Sequence, residues 1–341
     1  MRAVRLHGTG DVRLHEEPDT RPGEGESLVR VHAVGLCGSD LHWFADGGIG
    51  DARIADPVVP GHEFFGTALT GAYAGRRVVV DPAISCLECE YCFRGDHNLC
   101  ERIIFAGHGT RDGGMQDLIS WPDRSLTPLP DSIDDTQAVA LEPLGVAIHA
   151  VDLSHLKPGM RIGVVGAGPI GLFILQLARN ANAAEVVVVE PREHRRRLAT
   201  RLGADVAVAP GDVQDHASRC DLVFEVNGNP DAVAEAITLA RAGSRVVLVG
   251  IPDEDQTTFS ASQARRKGLT LVCVRRMKEV YERAIALVER GHVDAAAVVS
   301  DVFPLEQAEA AFRSGVAREG HKVVVKLSDS DAPGSRPLQV R

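Results

Sequence analysis

The chain has 341 residues, more than a single hydrophobic core usually serves, so two domains are expected. With 44% apolar and 25% charged residues it reads as an ordinary globular protein, and a formal net charge of −10 disfavours nucleic acid and anionic membranes as partners, leaving a small molecule. Charges at Arg2 and Arg5 interrupt any secretory apolar run, and the apolar stretch 162–178 is broken by glycines, Pro169 and Gln176, so neither a leader nor a membrane span is expected and the compartment should be cytoplasm.

From the N-terminus to about residue 141, short β-rich runs (3–6, 12–14, 28–34, 77–80) alternate with Gly/Pro turns, and helical periodicity is scarce. That texture predicts a compact β-barrel-like domain. The run 28–34 breaks at Gly35 and delivers Cys37-Gly-Ser-Asp-Leu-His42 onto a loop, and Val58-Val-Pro-Gly61 leads into His62-Glu63. A thiolate, an imidazole and a carboxylate thus arrive from two loop ends, a ligand mix that suits Zn2+.

Farther along, Cys86, Cys89, Cys92 and Cys100 follow the spacing C-x2-C-x2-C-x7-C. Four thiolates so spaced can close a tetrahedral structural zinc shell with no position left for substrate. An iron–sulfur run would need C-x2-C-x2-C-x3-C-P, whereas here Glu101 follows the last cysteine; Glu88, Glu90, Asp96 and Glu101 also repel phosphate, against a nucleic-acid zinc ribbon. Clustering of four among seven cysteines argues for metal over disulfides in a reducing compartment. Cys220 and Cys273 lie in apolar runs and are expected to be buried small hydrophobes.

From residue 138 the texture becomes a βα rhythm, with strands expected at 161–165, 185–189, 205–208, 221–225, 245–249 and 270–274. Six strands separated by helices predict a doubly wound parallel sheet. Gly166-Ala-Gly168-Pro169-Ile170-Gly171 is G-x-G-x-x-G between a strand and a helix (170–179), and a second strand ends at Glu190, nineteen residues past Gly171. Gly166 permits the tight turn, Gly168 a close approach of backbone to pyrophosphate, and Gly171 helix-on-sheet packing. Glu190 would accept hydrogen bonds from ribose hydroxyls and repel a 2'-phosphate, favouring NAD over NADP, although Arg192, Arg195, Arg196 and Arg197 follow closely. An amphipathic helix at 278–290 and a last strand at 322–326 are expected to fold back onto the first domain, and 328–341 to be a flexible tail. The expected boundaries are 1–145, 146–276 and 277–327.

Together these motifs resemble the zinc-dependent medium-chain dehydrogenase/reductase superfamily, most of all its sorbitol (polyol) dehydrogenase branch, over residues 1 to about 327. The resemblance is carried by Cys37 to His42, Gly48-Ile-Gly-Asp51, Pro60-Gly-His-Glu63, the cysteine lobe, Leu141-Glu-Pro-Leu-Gly-Val-Ala-Ile-His149, the glycine fingerprint and Arg265-Arg-Lys267. It implies a GroES-like catalytic β-barrel, a Rossmann domain, an active site in the cleft between them, and homodimers or homotetramers. It also implies two zinc ions per chain and hydride transfer between a secondary alcohol and NAD.

Residue by residue, the resemblance makes Cys37 and His62 ligands of a catalytic zinc, and Glu63 and Glu142 the carboxylates that bind the metal or hold its water, with the choice between them open. Ser39 and His42 match proton-relay positions, Arg195 a contact to the adenosine ribose, and Arg276 an arginine directed at substrate, with Trp43 and Phe44 lining the other side. His97, His108, His149 and His155 lack such spacing and are expected to be structural. Two departures stand out: Arg76 replaces an acid, and Val274-Arg-Arg-Met277 replaces a more aromatic run, so the substrate could be a polyol, sugar or cyclitol. Alternatives are a threonine-dehydrogenase-like oxidation of a 3-hydroxy amino acid and a non-catalytic NAD-binding relative.

Overall fold

The structure, a computed structural model, describes residues 1–109, 111–252 and 256–328; the tail expected at 328–341 lies, beyond Ser328, outside the described residues. Two compact units emerge, one from Met1–Glu142 together with Tyr281 onward, the other from Pro143–Val280. Among the described residues no helix is long and apolar enough to cross a membrane.

Within the first unit, the described residues form a seven-stranded sheet. Its order is Leu126–Pro128, Arg77–Val80, Glu63–Ala68, Glu26–Gly35, Lys322–Lys326 and Val299–Pro304, with Leu118–Pro122 also pairing to Glu26–Gly35. Early in Glu26–Gly35, buried Val29 and Val31 alternate with exposed Arg30, the period of a half-buried strand. Its far end is buried throughout because it is paired on both sides: Gly35 stands opposite Glu63 on one neighbour and Val324 on the other. The core beneath gathers Phe64, Trp121, Phe44 and Phe312.

The second unit is a six-stranded parallel sheet among the described residues, in the order Val206–Val208, Glu185–Val189, Arg161–Val165, Cys220–Glu225, Ala240–Leu248, Thr270–Cys273. In chain order this is 3-2-1-4-5-6, the doubly wound pattern, and it reverses between Arg161–Val165 and Cys220–Glu225. The helix Pro169–Asn180 buries every residue from Gly171 to Ala178, which follows from its nearly uninterrupted apolar sequence. Lys267 Nζ reaches the carbonyls of Ile237, Thr238 and Ala240 at 2.7, 3.1 and 2.6 Å, capping the end of the helix Ala232–Leu239.

Three expectations need correction. The helix expected from residue 278 starts only at Tyr281, because Glu279 adopts left-handed backbone (φ 46°) that a right-handed helix cannot contain. The strand expected at 245–249 begins at Ala240, since pairing extends backward to Cys220 across a bulge. Cys220 is buried as expected, but Cys273 is exposed at the edge of the sheet.

Trp121 is fully buried, packs edge-on against Phe64 and donates from Nε1 to the Asp81 carbonyl at 2.8 Å. Trp121→Ala should cost about 3–5 kcal/mol through cavity formation and a lost hydrogen bond, read as a shift in the urea unfolding midpoint; a shift equivalent to less than about 1 kcal/mol would contradict this packing.

Candidate active site

The sheet register assembles a polar cluster at one strand end. Because Gly35 pairs with Glu63, the chain just beyond Gly35 and the chain just before Glu63 emerge side by side, bringing Cys37 and His62 together. The donor atoms of Cys37, His62 and Glu63 all lie within 4.8 Å of one another. Gly61 (φ 93°) makes the approach possible, since a side chain there would collide with Val34.

Asp40 organises this cluster and was missed by sequence reasoning, although it lies inside the Cys37 to His42 motif. Cys37 is the N-cap of the helix Gly38–Asp46, and its N–H donates to Asp40 Oδ2 at 2.9 Å. Asp40 Oδ1 accepts from the Gly61 N–H at 3.3 Å and lies 3.5 Å from His62 Nδ1. The carboxylate faces that nitrogen as a charge, while Nδ1 makes no hydrogen bond among the described residues. Burial pushes the Asp40 pKa up, but His62 and neighbouring donors outweigh it, so the carboxyl sits below its ordinary range.

Glu63 has a second buried partner, also missed. Lys322 Nζ contacts both Glu63 oxygens at 2.7 and 2.6 Å and donates to the Leu36 carbonyl at 3.0 Å. Burial alone would discharge Lys322, but Glu63 and Cys37 reverse that, so its pKa is held above the ordinary value. Glu142, at the start of the helix Leu141–Ser154, is buried nearby but outside the set of donor atoms gathered around Cys37. Burial, with Glu63 reinforcing it, raises the Glu142 carboxyl to about 8. Carboxyl groups and a thiol thus gather around the Lys322 ammonium and His62, which burial pushes down but Asp40 and Cys37 lift well above its ordinary pKa, a donor set that suits a divalent cation.

Ser39 and His42 lie one turn apart on the helix Gly38–Asp46; Ser39 is buried, while His42 Nδ1 meets the more exposed Asp46 at 3.0 Å. Trp43, on the same helix, is buried with an indole N–H that has no hydrogen-bond partner among the described residues, and its ring lies 5.5 Å from that of His108. His108, expected to be structural, packs edge-on against His62 at 5.3 Å. Its position goes with Gly107, Gly113 and Gly114 packing over Pro60 and Gly61, which spacing along the chain does not reveal. Arg276 belongs to the other unit and adopts left-handed backbone at φ 57°.

The four lobe cysteines also converge, with sulfur atoms within 4.8 Å of one another. Cys86 Sγ lies 3.9 Å and Cys89 Sγ 3.5 Å from Cys92 Sγ. The Glu88 main-chain N–H lowers the Cys86 thiol to about 6, while burial pushes Cys92 up to about 11. All seven cysteines are free thiols. A closed set of four sulfurs fits a tetrahedral ion and leaves no open position.

In the second unit, Gly166 to Gly171 turns from the strand Arg161–Val165 into the helix Pro169–Asn180, with Gly168 as N-cap and Pro169 and Ile170 as the first helical residues. A side chain at Gly171 would strike the Gly166 carbonyl. Glu190 accepts from the Ala167 N–H at 2.9 Å and the Arg192 N–H at 3.0 Å, so the acid at the second strand's end also holds the fingerprint turn. Arg195 lies on the helix Glu193–Arg201; Arg196 bonds the carbonyls of Glu190 and Pro191, and Arg197 pairs with Glu193.

Residues 23–131 match the alcohol dehydrogenase GroES-like domain, and 169–290 match the zinc-binding dehydrogenase domain. Sorbitol dehydrogenase of Gallus gallus is 32% identical, with 96% of this chain and 97% of that protein covered. L-idonate 5-dehydrogenase from Escherichia coli superposes with a TM-score of 0.88 at 27% identity, covering 96% of this chain and 98% of that one. A zinc-binding dehydrogenase from Sinorhizobium meliloti, bound to NADP, superposes with a TM-score of 0.87 at 30% identity over 96% and 99% of the two chains.

Lys322→Met should cost about 3–5 kcal/mol, because it strands the Glu63 carboxylate in a buried site, and adding Glu63→Gln should recover most of that loss. Urea unfolding after metal chelation measures both; a single variant within about 0.5 kcal/mol of wild type would show the pair to be energetically idle.

Proposed function

The chain belongs to the zinc-dependent medium-chain alcohol dehydrogenase family, and from that premise we propose that it oxidises a secondary hydroxyl of a polyol, sugar or cyclitol with NAD as hydride acceptor. The observation that carries the reading is the convergence of Cys37, His62 and Glu63 donor atoms within 4.8 Å. A thiolate, an imidazole and a carboxylate are donors that zinc accepts, and a set of three protein ligands leaves a position for substrate. Likeness to a sorbitol dehydrogenase and an L-idonate 5-dehydrogenase supports polyhydroxylated substrates.

In this reading Cys37 and His62 hold a catalytic zinc, with Glu63 or Glu142 completing its surroundings, and Cys86, Cys89, Cys92 and Cys100 hold a structural zinc. The catalytic ion supplies Lewis-acid polarisation of the alcohol oxygen. Asp40, 3.5 Å from His62 Nδ1, holds that ring by charge. Ser39 takes up the hydroxyl proton and His42, one helical turn away beside Asp46, passes it to solvent. Trp43 and Arg276 are assigned to substrate. Lys322, bonded to both Glu63 oxygens, fixes where that carboxylate stands beside Cys37 and His62.

Gly166, Gly168, Pro169, Ile170 and Gly171 cradle the cofactor pyrophosphate at a helix N-terminus. Glu190 and Arg195 receive the adenosine ribose. With Arg196 occupied by main-chain carbonyls and Arg197 by Glu193, the balance at that end favours a 2'-hydroxyl, hence NAD over NADP. A cytoplasmic homodimer or homotetramer completes the proposal.

Purified protein should carry two zinc ions per chain by elemental analysis, with Cys92→Ser losing one ion and solubility, and should reduce NAD in a panel of hexitols, pentitols, inositols and aminocyclitols. Cys37→Ser and His62→Ala should each lower kcat by roughly three orders of magnitude or more while NAD still binds, corresponding to about 4 kcal/mol of lost transition-state stabilisation. Near-wild-type turnover in either variant would remove the metal assignment, and a lower KM for NADP than for NAD would reverse the cofactor choice.

A further inference from the structure

Glu225 ends the strand Cys220–Glu225 and is 2% exposed. Its carboxylate is held by main-chain donors: Oε1 accepts from the N–H groups of Asn227 and Gly228 at 2.7 and 2.8 Å. The Gly250 N–H bonds the Glu225 carbonyl at 3.1 Å and also faces the carboxylate. Glycine is required on both sides of this contact. A Cβ on Gly250 would stand 2.8 Å from both carboxylate oxygens, and one on Gly228 would run into the Ile251 carbonyl.

The fingerprint turn leans on the same spot. A Cβ on Gly166 would meet Asn227 Cβ and Val226 Cγ2, each at 3.2 Å, and the Val226 N–H bonds the Val165 carbonyl at 2.9 Å. Three turns, following Arg161–Val165, Cys220–Glu225 and Ala240–Leu248, thus close over one carboxylate. They lie at the C-terminal ends of adjacent parallel strands, where the strand order reverses, which is where open α/β sheets take their ligands. Burying a carboxylate is costly, so its presence where any small residue could end the strand points to a task for it. A single acceptor atom that fixes two successive N–H groups sets the path of the chain between them.

We propose that Glu225 is a positioning residue for the dinucleotide: it clamps the 226–228 and 250–251 turns against the fingerprint turn, giving the part of the cofactor beyond the pyrophosphate a preformed floor. The proposal rests on the reading of this unit as NAD-binding. Preformed turns lower the ordering cost of binding, so the effect falls on cofactor affinity and leaves the handling of alcohol alone.

The test uses the full zinc-loaded chain, with NAD affinity read by calorimetry and alcohol KM read at saturating NAD. Glu225→Ala should raise the Kd for NAD about tenfold. Glu225→Gln keeps an amide oxygen where Oε1 accepts both N–H groups and should stay within about threefold of wild type. Alcohol KM should stay within about twofold for both variants, because their loss is confined to cofactor binding. An unchanged Kd in Glu225→Ala, an equal loss in Glu225→Gln, or a parallel rise in alcohol KM would each overturn the proposal. Should Glu225→Ala fail to fold, Glu225→Asp, which withdraws the oxygen by one methylene, takes its place with the same expectation. Absence of NAD binding by wild type would remove this proposal together with the reading beneath it, whereas wild-type binding matched by Glu225→Ala would remove this proposal alone.

Discussion

The end of one strand governs the first unit. Glu26–Gly35 pairs with Glu63–Ala68 on one side and Lys322–Lys326 on the other, and that double pairing fixes what can meet just past Gly35. One neighbour contributes His62 and Glu63, and the other contributes Lys322. A slip of register by one residue on either side would turn those side chains to the opposite face of the sheet. The candidate metal site is therefore a property of strand pairing before it is a property of any ligand residue.

Charge then decides how the site can work. Asp40 and Glu63 are both buried, and each is stabilised differently: Asp40 by main-chain N–H groups and His62, Glu63 by an ammonium. Glu142 has no such direct partner among the described residues, and burial raises its carboxyl to about 8. Carboxyl groups in one cluster thus differ with their surroundings, that of Asp40 held below its ordinary range and that of Glu142 well above it.

Much of this was legible in the sequence wherever the chemistry is carried by residues close along the chain. The glycine fingerprint followed by Glu190, the four-cysteine lobe and the Cys37 to His42 motif announce themselves by spacing, and the six βα strands by their apolar rhythm. Partners distant in sequence did not: Lys322 reaches Glu63 across 259 residues, and His108 reaches His62 through a loop fold. Asp40 was visible as a residue but its task was not, because that depends on the Gly61 backbone and on His62. The late start of the helix at Tyr281 escaped for a local reason, the left-handed backbone at Glu279, which the amphipathic pattern of 278–290 does not encode.

The pairing of Lys322–Lys326 with Glu26–Gly35 has a bearing on biogenesis. Everything that the Pro143–Val280 unit needs is contiguous, so that unit can form while the chain is still being made. The other unit waits for nearly the last residue of its sheet to leave the ribosome. Until then Glu63 lacks its ammonium, and the far end of Glu26–Gly35, beyond the stretch that Leu118–Pro122 pairs, stands open along one edge. The cluster of Cys37, His62 and Glu63, with Lys322 against it, is accordingly complete only late in synthesis.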